Sequence, residues 1–131
     1  MPPVGPTKIV LVDDDETVLQ VLRAALEDAG FDVLSRSTAL GTSQWVCEEQ
    51  PDVAVLDVNM PGLTGDRIAG ILSGRALASR VLLVLHSGLP RQELEKMRAN
   101  CGAAGVIEKT GDPHHFIASL RDILQRRLRP D

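Results

Sequence analysis

Aromatic side chains are nearly missing from this chain: Phe31, Trp45 and Phe116 are the only three, and there is no tyrosine. A stacking platform for bases or a flavin ring therefore has little material. Cysteine is scarce too, and Cys47 and Cys101 match no C-x-x-C or metal-ligand spacing; both read as small core hydrophobes. Basic residues are not in excess, since 14 Lys and Arg stand against 18 Asp and Glu for a net charge of −4. That balance argues against nucleic-acid binding by this segment. No apolar run approaches the roughly 18 residues that span a bilayer, and Met1 to Pro6 lacks the charged and apolar regions of a signal peptide. The expected location is the cytoplasm, with no membrane partner.

What is present is a chain of 131 residues, 44% hydrophobic, which suits one domain able to bury roughly two-thirds of its unfolded surface. Met1 to Thr7 reads as a flexible lead-in with three prolines and a glycine, residues 8–128 as the domain, and residues 129–131 as a tail or the start of a linker. Short apolar runs alternate with stretches of helical periodicity. The expected strands are Lys8 to Val12, Phe31 to Leu34, Val53 to Asp57, Val81 to Leu85 and Ala104 to Ile107.

Between them, helices are expected over Glu16 to Ala29, after a Ser35 to Thr38 link through about Gln50 with Leu40 on it and its start left open by Gly41, from Thr64 or Asp66 through Ile68, Ile71 and Leu72, from Pro90 to about Asn100, and from Asp112 to Leu128. The third is preceded by a turn at Met60-Pro61-Gly62. Alternation of this kind with strands buried on both faces argues a parallel sheet covered by helices on its two sides.

In such a sheet the chemistry collects beyond the carboxyl ends of the strands. The first strand ends on Asp13-Asp14-Asp15, the third on Asp57, the fourth on His86-Ser87-Gly88 and the fifth on Glu108-Lys109. Parallel strands would gather Asp13, Asp14, Asp57, Ser87 and Lys109 on one rim. Crowded carboxylates either rise in pKa or share a hard cation. A carboxylate beside magnesium, a hydroxyl and a lysine is equipped for phosphoryl transfer. Asp15 and Glu16 read as first-turn helix residues instead. His114 and His115, adjacent on a helix, read as surface residues, and His86 has no evident role.

The V-D-D-D end of the first strand, L-D-V-N-M-P-G-L-T-G around Asp57, Ser87-Gly88 and Lys109 together resemble the receiver domain of two-component response regulators, chemotaxis regulators among them. The resemblance covers about Lys8 to Leu128. It implies a flavodoxin-like (βα)5 three-layer sandwich with strand order 2-1-3-4-5. It also implies Mg²⁺ or Mn²⁺, and a phosphoryl group received from a sensor histidine kinase or phosphotransfer protein. Asp57 would be the phosphoacceptor. Asp14 would bind the metal directly, Asp13 largely through water, Asp57 through a carboxylate oxygen and Asn59 through its backbone carbonyl. Ser87 and Lys109 would contact the phosphoryl group, and Asn59 and Leu89 would tune its lifetime.

Two positions depart from the family pattern. Val106 stands where many receivers carry a switching aromatic, and Thr110 follows the lysine where a cis proline is common, so a trans bond is expected there. The resemblance further implies a regulator, not a turnover enzyme, with a homodimer or output domain meeting the face made by the fourth helix, fifth strand and fifth helix. Three rival readings differ in kind. An aspartyl-phosphate phosphatase of the haloacid-dehalogenase type would want an acid at Asn59 and a lid domain. A flavin binder would want a first loop without three acids. A pseudo-receiver would be an interaction module not switched by phosphorylation.

Overall fold

The computed structural model describes residues 6–60 and 81–128. Five strands form one parallel sheet in the order β2-β1-β3-β4-β5. They are β1 (Lys8–Val12), β2 (Asp32–Arg36), β3 (Val53–Asp57), β4 (Leu82–Ser87) and β5 (Gly105–Glu108). Described helices cover Glu16–Asp28, Thr42–Glu49, Arg91–Cys101 and Pro113–Leu128. The Pro61-Gly62 part of the expected turn, the helix expected between Thr64 and Leu72, and the tail all lie outside the described residues, as do the first five positions of the lead-in.

Side-chain alternation along the strands divides the interior in two. Val10, Val12, Ala54, Leu56, Leu83, Leu85 and Val106 face one way and pack with Trp45, Val46 and Leu94. Ile9, Leu11, Val53, Val55, Val84 and Ile107 face the other way and pack with Leu19, Leu22, Leu26, Phe116, Leu120 and Ile123. Cys47 and Cys101 are half-buried at the margin of the first cluster and form no disulfide.

Several expected boundaries move, each for a local reason. The second strand begins at Asp32 instead of Phe31 and runs on to Arg36, because Ser35 and Arg36 still pair with Leu11 and Val12. The second helix begins at Thr42 and leaves Leu40 outside it. Gly41 takes a left-handed φ of 74° that interrupts the helix, and Leu40 is left 83% exposed. Pro90 is the cap just outside the fourth expected helix, with ψ of 145°, and not a residue of its first turn. The fourth strand extends to Ser87, where the ladder continues opposite Glu108. The fifth begins at Gly105, whose missing Cβ lets Ile123 pack directly on the strand: an added methyl would lie 2.7 Å from Ile123 Cδ1.

Asp15 is the N-cap of the first helix, its carboxylate accepting the amides of Thr17 and Val18, and not a residue of its first turn. Asp112 accepts the His114 amide at 2.9 Å at the start of the last helix. The bond between Lys109 and Thr110 is trans, as expected.

Candidate functional site

Each site residue is held by the end of a strand. Asp13 follows β1 and is tied to the neighbouring strand by its amide, which donates to the Arg36 carbonyl at 3.2 Å. Asp57 is the last residue of β3 and is 2% exposed. Its Oδ1 accepts the Asn59 amide at 2.9 Å, a local turn bond that fixes the carboxylate. The Asp15 amide does the same for Asp13 Oδ1 at 2.9 Å. Lys109 follows β5, and its amide donates to the Ser87 carbonyl at 2.9 Å, binding the ends of β4 and β5 together.

The rim brings the acids together: one oxygen from each of Asp13, Asp14 and Asp57 lies within 4.8 Å of the other two. Lys109 Nζ stands between two of them, 2.9 Å from Asp13 Oδ2 and 3.2 Å from Asp57 Oδ2. The contact with Asp57 is also a hydrogen bond. That with Asp13 is an ion pair outside hydrogen-bond alignment, so Asp13 Oδ2 is buried without a hydrogen-bond donor.

Burial lifts the Asp13 carboxyl above its ordinary value and the Asp57 charge adds to the effect, while the Asp15 amide and Lys109 offset only part of it. Burial alone would depress Lys109, yet the two carboxylates outweigh it and its pKa is raised.

When ionised, three carboxylates and one ammonium leave a net charge of −3 + 1 = −2. A hard divalent ion neutralises that charge. Asp13, Asp14 and Asp57 are the residues that would hold it, each offering one carboxylate oxygen. An all-oxygen donor set and a double negative excess both suit such an ion.

The model of the response regulator receiver domain matches residues 9–121. The chain belongs to this family. A receiver domain of response regulators ordinarily takes a phosphoryl group onto an aspartate. Among its relatives, the transcriptional regulatory protein KdpE of Mycobacterium tuberculosis is 29% identical over 121 residues, covering 92% of this chain and 52% of that protein. The alkaline phosphatase synthesis transcriptional regulatory protein PhoP of Bacillus subtilis is 30% identical over 120 residues, 91% of this chain and 49% of that one. The receiver thus spans about half the length of these curated relatives. The chemotaxis response regulator CheY4 of Vibrio cholerae has the same fold, with a TM-score of 0.81 at 22% identity over 90% of this chain and 98% of that one.

The other positions expected from the sequence are Ser87, Asn59, Leu89 and Val106. Ser87 is fully buried at the end of β4, and its Oγ accepts the Leu89 amide at 3.1 Å. Asn59 is exposed. Leu89 and Val106 belong to the first core cluster, Leu89 at its margin and Val106 inside it. One residue near the site had no role in the sequence reading: His86, opposite Asp57 in the β3–β4 ladder, is only 6% exposed. Its ring meets Phe116 edge-on at 5.0 Å. Burial, reinforced by the Lys109 charge and only partly opposed by Asp57, pulls its pKa down to about 4. The imidazole is therefore neutral near pH 7. Its spacing two residues beyond Val84 was the available signal, since that parity directs it to the side where the last helix packs.

Among the described residues, no helix is long and apolar enough to cross a membrane.

Proposed function

We propose that Asp57 is the phosphoacceptor of this receiver, and that it takes the phosphoryl group from the phosphohistidine of a sensor histidine kinase or phosphotransfer protein. The single observation that carries the reading is the convergence of Asp13, Asp14 and Asp57 within 4.8 Å, with Lys109 Nζ bridging two of them.

Mg²⁺, or Mn²⁺ in its place, would be held by Asp13, Asp14 and Asp57 and by the backbone carbonyl of Asn59; when bound it supplies charge neutralisation for the transferring group. The Asp57 carboxylate, fixed through its Oδ1 bond to the Asn59 amide, attacks the phosphorus in line. The P–N bond of the donor breaks as the P–O bond forms, and the electron pair leaves with the imidazole. Lys109 compensates charge on the phosphoryl oxygens, and Ser87 donates a hydrogen bond to one of them once its hydroxyl turns toward the cleft.

Leu89 shields the acyl phosphate from water, and Asn59 shares in setting its lifetime. Valine at 106 has no ring to swing, so the response to phosphorylation runs through the Ser87 segment without an aromatic partner. The receiver unit is residues 8–128, with a lead-in at 1–7 and a tail or linker at 129–131. It acts in the cytoplasm as a phosphorylated switch that assists its own phosphorylation and dephosphorylation, without turnover of a separate substrate. A homodimer or output domain engages the face formed by the Arg91–Cys101 helix, β5 and the Pro113–Leu128 helix, with no nucleic acid bound by this domain.

Incubation with Mg²⁺ and acetyl phosphate, followed by intact mass measurement, tests the assignment. One added phosphoryl group, absent without Mg²⁺ and absent in Asp57→Asn, is expected. Unchanged mass in the unaltered protein would identify a pseudo-receiver, and persistent uptake by Asp57→Asn would move the acceptor elsewhere.

A further inference from the structure

Arg36, the last residue of β2, reaches the acidic cleft through its backbone. Its carbonyl accepts the Asp13 amide at 3.2 Å, one residue beyond the final register pair of the two strands, Val12 with Arg36. This bond sets the direction of the chain where Asp13 leaves the sheet. β2 is an edge strand with a neighbour on one side only, and Ser37 and Thr38, which follow it, are exposed. A strand end so placed frays unless something outside the ladder holds it.

The Arg36 side chain supplies that hold. Its guanidinium lies 4.4 Å over the Trp45 ring. Trp45 belongs to the Thr42–Glu49 helix, is 6% exposed, and packs in the first core cluster with Val10 and Val12. The ring is thus a fixed platform, and the flat guanidinium resting on it joins the end of β2 to that helix.

We propose that Arg36 is a positioning residue for the divalent-ion site: by clamping the end of β2 on Trp45 it fixes the carbonyl that orients Asp13. The inference rests on the reading that Asp13, Asp14 and Asp57 hold the ion. One oxygen from each lies within 4.8 Å of the other two, while Asp13 has its Oδ1 on the Asp15 amide and its Oδ2 2.9 Å from Lys109 Nζ. A backbone rotation at Asp13 disturbs all of these at once. The Arg36 side chain does not itself meet the ion; its effect passes through its own carbonyl. Charge alone predicts the opposite sign, because a cation on a neighbouring strand end repels a divalent ion and its removal would tighten binding.

Arg36→Lys keeps the charge and loses the flat stacking surface, and two measurements on the full chain test it. Amide hydrogen exchange without metal reads the clamp. The Asp13 amide should exchange about 2- to 5-fold faster relative to that of Val10, the range expected for one exposed cation–π contact. Titration with Mn²⁺, followed by the EPR signal of the free ion, reads the consequence, and affinity should fall by the same factor of about 2 to 5. Trp45→Leu should do likewise, with no further loss in the double variant. Ile123→Val, a core change on the other face of the sheet, should alter neither. Should Trp45→Leu fail to fold, Arg36→Lys against Ile123→Val decides. An unchanged Asp13 amide or an unchanged Mn²⁺ affinity in Arg36→Lys would overturn the proposal and leave the ion site standing. No saturable Mn²⁺ binding by the unaltered chain would remove the ion site itself, and the proposal with it.

Discussion

The two ends of the β-sheet use the same residue types to opposite effect. At the amino end, the Lys8 ammonium meets Glu49 Oε1 and the Glu49 carbonyl, both at 2.9 Å, and Asp52 Oδ2 accepts the Lys8 amide at 2.8 Å. Lys8 and Glu49 keep about 30% of their side chains in water, at 30% and 31%. At the carboxyl end, Lys109 faces Asp13 and Asp57, whose side chains are 4% and 3% exposed. Polar contacts at the first end are satisfied and solvated; at the second they are buried, unequal in charge and missing a donor at Asp13 Oδ2. A fold gains little from the second arrangement, since burying charge costs more than an exposed pair returns. Such an imbalance is a mark of chemistry, not of scaffolding.

The largest contrast should appear in phosphoryl uptake. Asp57→Asn is expected to abolish labelling by acetyl phosphate, whereas Asp52→Asn at the other end should leave its rate within about twofold, measured by mass under identical Mg²⁺. Stability should separate the two lysines next. Lys109→Met strands two buried carboxylates and should lower the metal-free unfolding free energy by roughly 3 kcal/mol, while Lys8→Met should cost about 1 kcal/mol or less. Urea titrations of both variants decide this. Equal losses would remove the distinction between the ends.

Acid should expose the carboxyl end through His86. Its pKa is about 4 folded against 6.5 for the free side chain. The native state thus binds fewer protons, and the associated stability is complete above pH 6.5 and falls as pH drops toward 4. Between pH 7.5 and 4.5 the unaltered protein should lose about 2 to 3 kcal/mol more than His86→Leu. The smallest contrast lies between adjacent acids. Asp15→Ala removes a helix cap and should cost about 1 kcal/mol without affecting the Mg²⁺ requirement, whereas Asp14→Ala should raise that requirement with little effect on stability.

Much of this was legible in the sequence because a parallel sheet buried on both faces writes itself as apolar runs. All five strands were readable in that way, as were Asp13, Asp14, Asp57 and Lys109 at their ends. What resisted reading was polar residues that remain in the ladder. Ser35 and Arg36 continue β2 because their backbones pair with β1, and Arg36, though exposed, lays its guanidinium 4.4 Å over the Trp45 ring as a cation–π contact. Ser87 extends β4 for the same backbone reason. Leu40 misled in the other direction, as an apolar residue at helical spacing that Gly41 detaches from the helix. His86 was undecided because a strand-end histidine can face water or the interior, and only the packing of Phe116 settles which.

The ion pair between Asp13 and Lys109 joins the end of the first strand to the end of the last, across a sheet in which β1 and β5 have β3 and β4 between them. No fragment containing only half the strands can assemble both partners. On the proposed assignment of the site, a nascent or partly melted chain would be chemically silent, and competence to receive a signal would double as a certificate that the entire sheet has closed.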